Sequence, residues 1–361
     1  MESVQFNFFY ISIVFILLFL FFGCKEEDVE PETCSIEISN PIPTLPKLGI
    51  SPTFKGDFND WNTSEFIESI ELISNLGADV VHYGFLWSEL QPGEEEFEWN
   101  FTDEVINAIE QNGEKISIIV PVINTSDADD LPEHVSFSTF TDGNLIPAYT
   151  EFILAFLNRY GDKIDYLYIG NEIDVYFSEN TSEITAYKTF FQQVNDAIEV
   201  NYPNVNVGVT FTYHDALNNG TTEIYREFSE ADILGFTLYS QFLGSNPNDF
   251  TDHLNGLINL TENIGIPIAI TETTWSSAGY SGSVENQKLF IKTALDAFKE
   301  QSGNLEYFTF WGTYDFPQSF IELSMITDPE FGSWLSSLSF ITNQGIPKES
   351  YCTFIDELRD F

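Results

Sequence analysis

Apolar residues recur along this chain in two alternating rhythms. Short, nearly continuous apolar runs cover residues 48–51, 78–83, 116–122, 166–172, 205–211, 232–239, 266–272 and 305–311. Between them apolar positions fall three and four apart, as in Phe66, Ile67, Ile70, Ile73 and Leu76, a run with Thr63 or Ser64 as its start signal and Gly77 as its stop. The same spacing predicts helices over 103–111, 146–160, 182–202, 250–264, 284–301 and 350–361. Strands that are apolar on both faces belong to a parallel sheet covered by helices. Eight of them in order, each followed by a helix or loop, predict an α/β fold with one (β/α)8 barrel from about residue 46 to the end. No internal repeat or change of composition divides that stretch.

The N-terminus follows a different pattern. Residues 6–22 are apolar except for Asn7 and Ser12, and end at Gly23-Cys24. A membrane-spanning anchor and a cleaved signal peptide both fit such a run. The Gly-Cys boundary resembles a bacterial lipobox, which implies a signal peptide over 1–23, lipidation at Cys24 and a membrane partner through that lipid. Residues 1–5 depart from the pattern, with Glu2 and no Lys or Arg. The Lys25-Glu26-Glu27-Asp28 run resembles export signals of surface lipoproteins, so the expected location is the cell envelope, on the outer membrane and open to surface exposure. Residues 24–45, acidic and then rich in proline at Pro41 and Pro43, read as a tether. Cys34 and Cys352 fit either one disulfide joining the ends of the fold or two unrelated thiols, and no cysteine spacing suggests zinc.

Composition narrows the partners. With 43% hydrophobic and 19% charged residues the chain is globular. Its formal charge of −44 excludes nucleic acid and disfavours sulfated or uronate-rich glycans, which it would repel. Phe, Tyr and Trp number 35, 16 and 6, enough for a large core and for aromatic binding platforms. Asp127, Asp129 and Asp130 could in principle ligate calcium, but in a chain this acidic a solvated loop is the expectation. No metal, no cofactor and a monomer are expected.

The chemistry lies at two strand ends. Tyr166-Leu167-Tyr168-Ile169-Gly170 runs into Asn171-Glu172, and Ile266-Pro267-Ile268-Ala269-Ile270-Thr271 runs into Glu272. A lone glutamate at a strand end is usually a solvated or ion-paired group. Two of them, closing the fourth and seventh strands of eight, point instead into one pocket at the C-terminal face of a barrel. Paired carboxylates cleave glycosidic bonds, one as acid/base and one as nucleophile when they stand ~5–5.5 Å apart, provided that their surroundings separate their pKa values.

On these residues the chain resembles the clan of retaining glycoside hydrolases with a (β/α)8 barrel, which includes cellulases, mannanases, xylanases and endo-galactanases. The resemblance covers essentially the whole barrel. It implies that Glu172, in Gly170-Asn171-Glu172-Ile173, is the acid/base and that Glu272, in Ile270-Thr271-Glu272-Thr273, is the nucleophile. Asn171 would bind the sugar 2-OH, and Tyr239 at the end of Asp232–Tyr239 would hydrogen-bond the nucleophile. Trp311, closing Phe308-Thr309-Phe310-Trp311, would form the floor under the sugar, whose CH face stacks on indole. Trp87, in Trp87-Ser88-Glu89-Leu90-Gln91-Pro92-Gly93, and Trp275 would line the cleft or pack at the barrel top. Many clan members carry an arginine at the end of the second strand; here the stretch is Val80-Val81-His82-Tyr83-Gly84, and His82 would either replace it as a donor to Glu272 or sit satisfied in the core. His214 is a similar candidate. Gly345-Ile346-Pro347-Lys348 resembles a closing motif of structural importance. The Gly-Asn-Glu-Ile and Leu-Gly-Phe-Thr-Leu-Tyr strands look most like endo-β-1,4-galactanases, with mannanases and cellulases next. A different class is also open, a surface glycan-binding lipoprotein that kept the barrel without the chemistry.

Overall fold

The computed structural model describes residues 34–361, apart from 39, 61, 129, 130, 142, 214–223 and 245. The expected signal peptide, Cys24, His214, Asp129 and Asp130 lie outside the described residues. Eight parallel strands close into a barrel in chain order: β1 (Leu48–Ser51), β2 (Val80–Gly84), β3 (Lys115–Ile119), β4 (Ile164–Tyr168), β5 (Asn206–Thr212), β6 (Ile233–Thr237), β7 (Ile268–Thr273) and β8 (Phe308–Trp311). The closing pair aligns Ser51 with Trp311 and Leu48 with Phe308. The helices are α1 (Thr63–Asn75), α2 (Trp87–Leu90), α3 (Asn100–Asn112), α4 (Leu145–Tyr160), α5 (Ile173–Glu179), α6 (Ile184–Asn201), α7 (Phe250–Thr261), α8 (Val284–Gln301), α9 (Gln318–Leu323), α10 (Pro329–Leu335) and α11 (Glu349–Arg359). None of these helices is long and apolar enough to cross a membrane.

Local chemistry sets the helix ends. The cap of α1 is Asn62, whose side chain accepts from the Glu65 N–H at 3.1 Å, one residue earlier than the threonine and serine that the spacing favoured. Ser283 caps α8 in the same way, accepting from Asn286 N–H. Short helices α2, α5, α9 and α10 were not expected, because runs of four to seven residues carry too little periodicity to stand out.

Apolar residues of the helices pack on the outer face of the sheet in one continuous core. The barrel interior is filled by a second cluster, with Val80, Ile119, Tyr166, Tyr168, Ile233, Ala269 and Tyr307. Space there is tight: a Cβ on Gly235 would stand 2.7 Å from Thr271 Cγ2 and 2.8 Å from Thr210 Cγ2, so β6 needs glycine at that height. A polar string crosses the interior. Ser117 Oγ lies 2.7 Å from His82 Nδ1 and 2.8 Å from the Tyr307 hydroxyl, which donates to the Tyr168 hydroxyl at 2.8 Å.

Cys34 and Cys352 are joined as a disulfide with Cα atoms 5.6 Å apart. This corrects the tether at its C-terminal end: Cys34, Ile36, Ile38, Ile42 and Leu45 pack against the core, and the Ile42 and Leu45 N–H groups donate to Asn75 O and Gly77 O.

Candidate active site

Glu172 is placed by strands β3 and β4 continuing together beyond their regular ends. Asn171 N–H donates to Ile123 O at 2.8 Å, and Thr125 N–H donates to Asn171 O at 2.8 Å. The chain then turns into α5 with Glu172 in the left-handed region, at φ 47° and ψ 44°. A non-glycine residue held there is strained, and such strain collects at functional sites. The turn is secured by Glu172 N–H donating to Thr210 Oγ1 at 2.7 Å, while that hydroxyl donates to Asn171 Oδ1 at 2.8 Å. Asn171 Nδ2 donates in turn to Asn124 Oδ1. The Glu172 carboxylate accepts from two hydroxyls, Thr237 to Oε1 at 2.6 Å and Thr125 to Oε2 at 3.0 Å.

Glu272 stands on β7, opposite Thr237 of β6 in register. Its Oε2 accepts a 2.5 Å hydrogen bond from the Tyr239 hydroxyl. Thr237 closes β6, and Tyr239 follows it by two residues, just before the chain turns at Ser240–Leu243. One stretch of chain therefore holds both carboxylates, Glu172 through Thr237 and Glu272 through Tyr239.

The electrostatics follow from this proximity. Burial, and then the charge of Glu172, push the Glu272 carboxyl up to about 8, while the bond from Tyr239 pulls it back by favouring the ionised form. Burial and the two glutamates raise the Tyr239 phenol well above its ordinary value, so it remains a donor.

Asn171, Glu272, Trp311 and His82 line a pocket of about 330 Å³, together with Asn124, Phe54, Phe316 and Phe320 among others. Trp311 lies on the aromatic cluster that contains Tyr239 and Trp334, its ring 6.0 Å from Tyr239 and 5.5 Å from Phe316. The structure thus brings Glu172, Glu272, Asn171, Tyr239 and Trp311 together.

Three expected side chains are placed differently. Trp87 is fully buried between Tyr149 and Phe152, its indole N–H donating to Gln91 Oε1 at 2.9 Å, so it is core rather than cleft. Trp275 is 2% exposed and packs on Phe290, away from the pocket lining. His82 does face the pocket, but its Nδ1 is turned to Ser117 and its Nε2 has no hydrogen-bond partner, so it is not a donor to Glu272. Burial holds this imidazole down at about 3, neutral where an arginine would be charged. The residues that sequence reasoning missed are Thr125, Thr210 and Thr237. For Thr210 and Thr237 the signal was present in Thr210-Phe211-Thr212 and Phe236-Thr237, hydroxyls within otherwise apolar strands, whereas Thr125 lies on the loop beyond β3 and carried none. Among the described residues no cluster of His, Cys, Asp or Glu is arranged to hold a metal.

A closed eightfold parallel barrel with two carboxylates at the ends of β4 and β7 defines the class, a (β/α)8 barrel of the glycoside hydrolase type. Within that class, residues 132–306 match the glycosyl hydrolase family 53, and residues 57–126 match a family described as beta-galactosidase. Among solved structures the chain resembles the exo-beta-1,4-mannosidase Op5Man5 from Opitutaceae bacterium strain TAV5, with 15% identity and a TM-score of 0.68 over 91% of this chain and 62% of that one. The chain thus spans less than two thirds of that relative. A GH5_18 protein from Bifidobacterium longum subsp. infantis is similar at 15% identity and a TM-score of 0.69, over 88% of this chain and 80% of its own. A family 39 glycoside hydrolase from Bacteroides cellulosilyticus WH2 matches at 11% identity and a TM-score of 0.62, over 89% of this chain and 64% of its own. At such identities these likenesses carry the fold. No curated protein matches the chain.

Proposed function

We propose that this chain is a retaining glycoside hydrolase of neutral β-linked glycans, with Glu172 as acid/base and Glu272 as nucleophile. The observation that carries the reading is the joint suspension of the two carboxylates from the C-terminal end of β6 and the residues just after it, by Thr237 and Tyr239. In the first step Glu272 attacks the anomeric carbon while Glu172 passes its proton to the departing glycosidic oxygen. In the second, Glu172 takes a proton from the water that attacks the same carbon and releases Glu272. The bond from Tyr239 favours Glu272 in the ionised form that attack requires. Asn171 contacts the sugar ring at its 2-OH, Trp311 supports its apolar face, and neutral His82 lines the pocket without adding charge. The match to family 53 favours a β-1,4-galactan, and the likeness to Op5Man5 makes β-mannosides the next substrates to try. The Gly23-Cys24 boundary supports secretion with a lipid anchor at Cys24 on the outer membrane.

The test is reducing-sugar release from β-1,4-galactan, β-1,4-mannan and β-glucan by residues 32–361, alongside the Glu272→Gln variant, with NMR of the first anomer formed. Release of a retained anomer that vanishes in the variant is expected. Binding of a glycan without any release would replace the enzyme by a glycan-binding protein, and an inverted first product would remove the double displacement.

A further inference from the structure

We propose that Thr125 and Thr237 are positioning residues for Glu172, holding its carboxyl in one place while it changes from acid to base. The inference rests on the acid/base reading of Glu172 and goes beyond it, to the question of how one carboxyl serves two opposite proton transfers without moving.

Three observations lead there. First, each oxygen of the Glu172 carboxylate has its own hydroxyl, Thr237 Oγ1 at 2.6 Å from Oε1 and Thr125 Oγ1 at 3.0 Å from Oε2. Among the described residues no Lys, Arg or His bonds this carboxylate. A cation would favour the ionised form alone, whereas a hydroxyl is both donor and acceptor and needs only to swing its hydrogen. Second, Thr125 sits at φ 58°, and a β-branched residue is a genuine outlier in that region. Glycine or asparagine would take the conformation more easily, so the threonine is retained against a local penalty. It faces Glu172, itself at φ 47°, across the Asn124–Asn171 bridge. Two strained residues on adjacent strand ends thus meet through their side chains. Third, Thr237 is fully buried within β6, so its hydroxyl has no water to turn to and its position is set by the barrel.

The proton balance is simple. With Glu172 ionised, both threonines donate to it. With Glu172 protonated, its own hydrogen points at the glycosidic oxygen or at a threonine oxygen, whose hydrogen rotates away. In the first step that proton moves to the glycosidic oxygen as the bond to the anomeric carbon breaks. In the second a proton returns from water. The threonines exchange no proton, and no heavy atom has to shift.

The experiment compares Thr237→Val, Thr237→Ser and Thr125→Gly with the wild type on two aryl β-glycosides of one sugar, phenyl and 2,4-dinitrophenyl, for each of β-galactose, β-mannose and β-glucose. Phenolate is a poor leaving group and needs the acid, whereas dinitrophenolate departs without it. Loss of one hydrogen bond to a charged group predicts a fall of about 10–100-fold in kcat/KM on the phenyl glycoside for Thr237→Val. The dinitrophenyl substrate should change by less than about threefold, and Thr237→Ser should restore most of the loss. Thr125→Gly removes the hydroxyl together with the backbone strain, so a selective loss there cannot come from misfolding. Equal losses on both substrates, no loss on either, or failure of serine to restore the rate would overturn the assignment. A wild type that cleaves none of the six glycosides and releases no reducing sugar from the three polysaccharides removes the acid/base reading itself, a result distinct from variants that merely match an active wild type.

Discussion

Replacing Tyr239 by phenylalanine removes one oxygen and little else. The ring keeps its contacts with Trp334 at 5.3 Å, Phe242 at 5.6 Å and Trp311 at 6.0 Å, so the aromatic cluster should survive. What disappears is the 2.5 Å hydrogen bond to Glu272 Oε2. Hydrogen bonds to charged groups contribute about 1.5–3 kcal/mol, and a pKa unit corresponds to about 1.4 kcal/mol. The Glu272 carboxyl, already pushed up to about 8 by burial and by Glu172, should therefore rise a further ~1–2 units. Because the nucleophile acts ionised, the acidic limb of kcat/KM should move to higher pH by that amount. At a pH well below the limb the variant should be about 10–100-fold slower, and the two enzymes should converge only as the pH rises past the shifted value, at roughly 9–10. The assay is a pH series from about 5 to 11 on an aryl β-glycoside, with thermal melts to confirm folding. An acidic limb that stays in place, or moves to lower pH, would refute the idea that Tyr239 keeps Glu272 ionised.

Other consequences follow from the same contacts. A carboxyl whose folded pKa lies above its unfolded value stabilises the protein fully below the unfolded value and loses that contribution as pH rises through the folded one. Glu272 thus makes the native state weaken between about 4.5 and 8, and Glu272→Gln should abolish activity while flattening the decline of Tm over that window; parallel Tm–pH curves for the two proteins would contradict this. Lys348 donates to both oxygens of Asp315 at 2.9 and 3.0 Å in a site where both side chains are largely buried, and burial lifts Asp315 to about 6 even though Lys348 and the Ser339 N–H pull it down. Lys348→Met should leave that carboxylate unpaired and cost about 3–5 kcal/mol by denaturant titration, whereas a loss under about 1 kcal/mol would show the pair to be dispensable. Reduction of Cys34–Cys352, which closes a span of 318 residues, should lower stability by about 5–6 kcal/mol in the loop-entropy account. That is a drop of several degrees in Tm, and an unchanged melt in dithiothreitol would argue that residues 34–45 are held by packing instead.

The barrel was legible in the chain because strand and helix write different periods into it, and eight repetitions leave few other closures. The strand ends carrying Glu172 and Glu272, and the order of Tyr239 and Trp311, could be read for the same reason: each directly follows an apolar run whose direction in a parallel barrel is known. What the sequence could not decide was which of several aromatic and polar residues near those ends turn toward the pocket. Trp87 and Trp275 have the same local signature as Trp311, and only the neighbouring helices α4 and α8 decide that the first two are enclosed. His82 sits where a donor to Glu272 was expected, yet the hydroxyl of Ser117 on the next strand claims its Nδ1. The threonines around Glu172 come from three different strand ends, so their convergence exists only once the barrel has closed. Local sequence sets the period and the chemistry available at each strand end. Side-chain partnerships across the barrel depend on register and curvature, which only the closed tertiary structure determines.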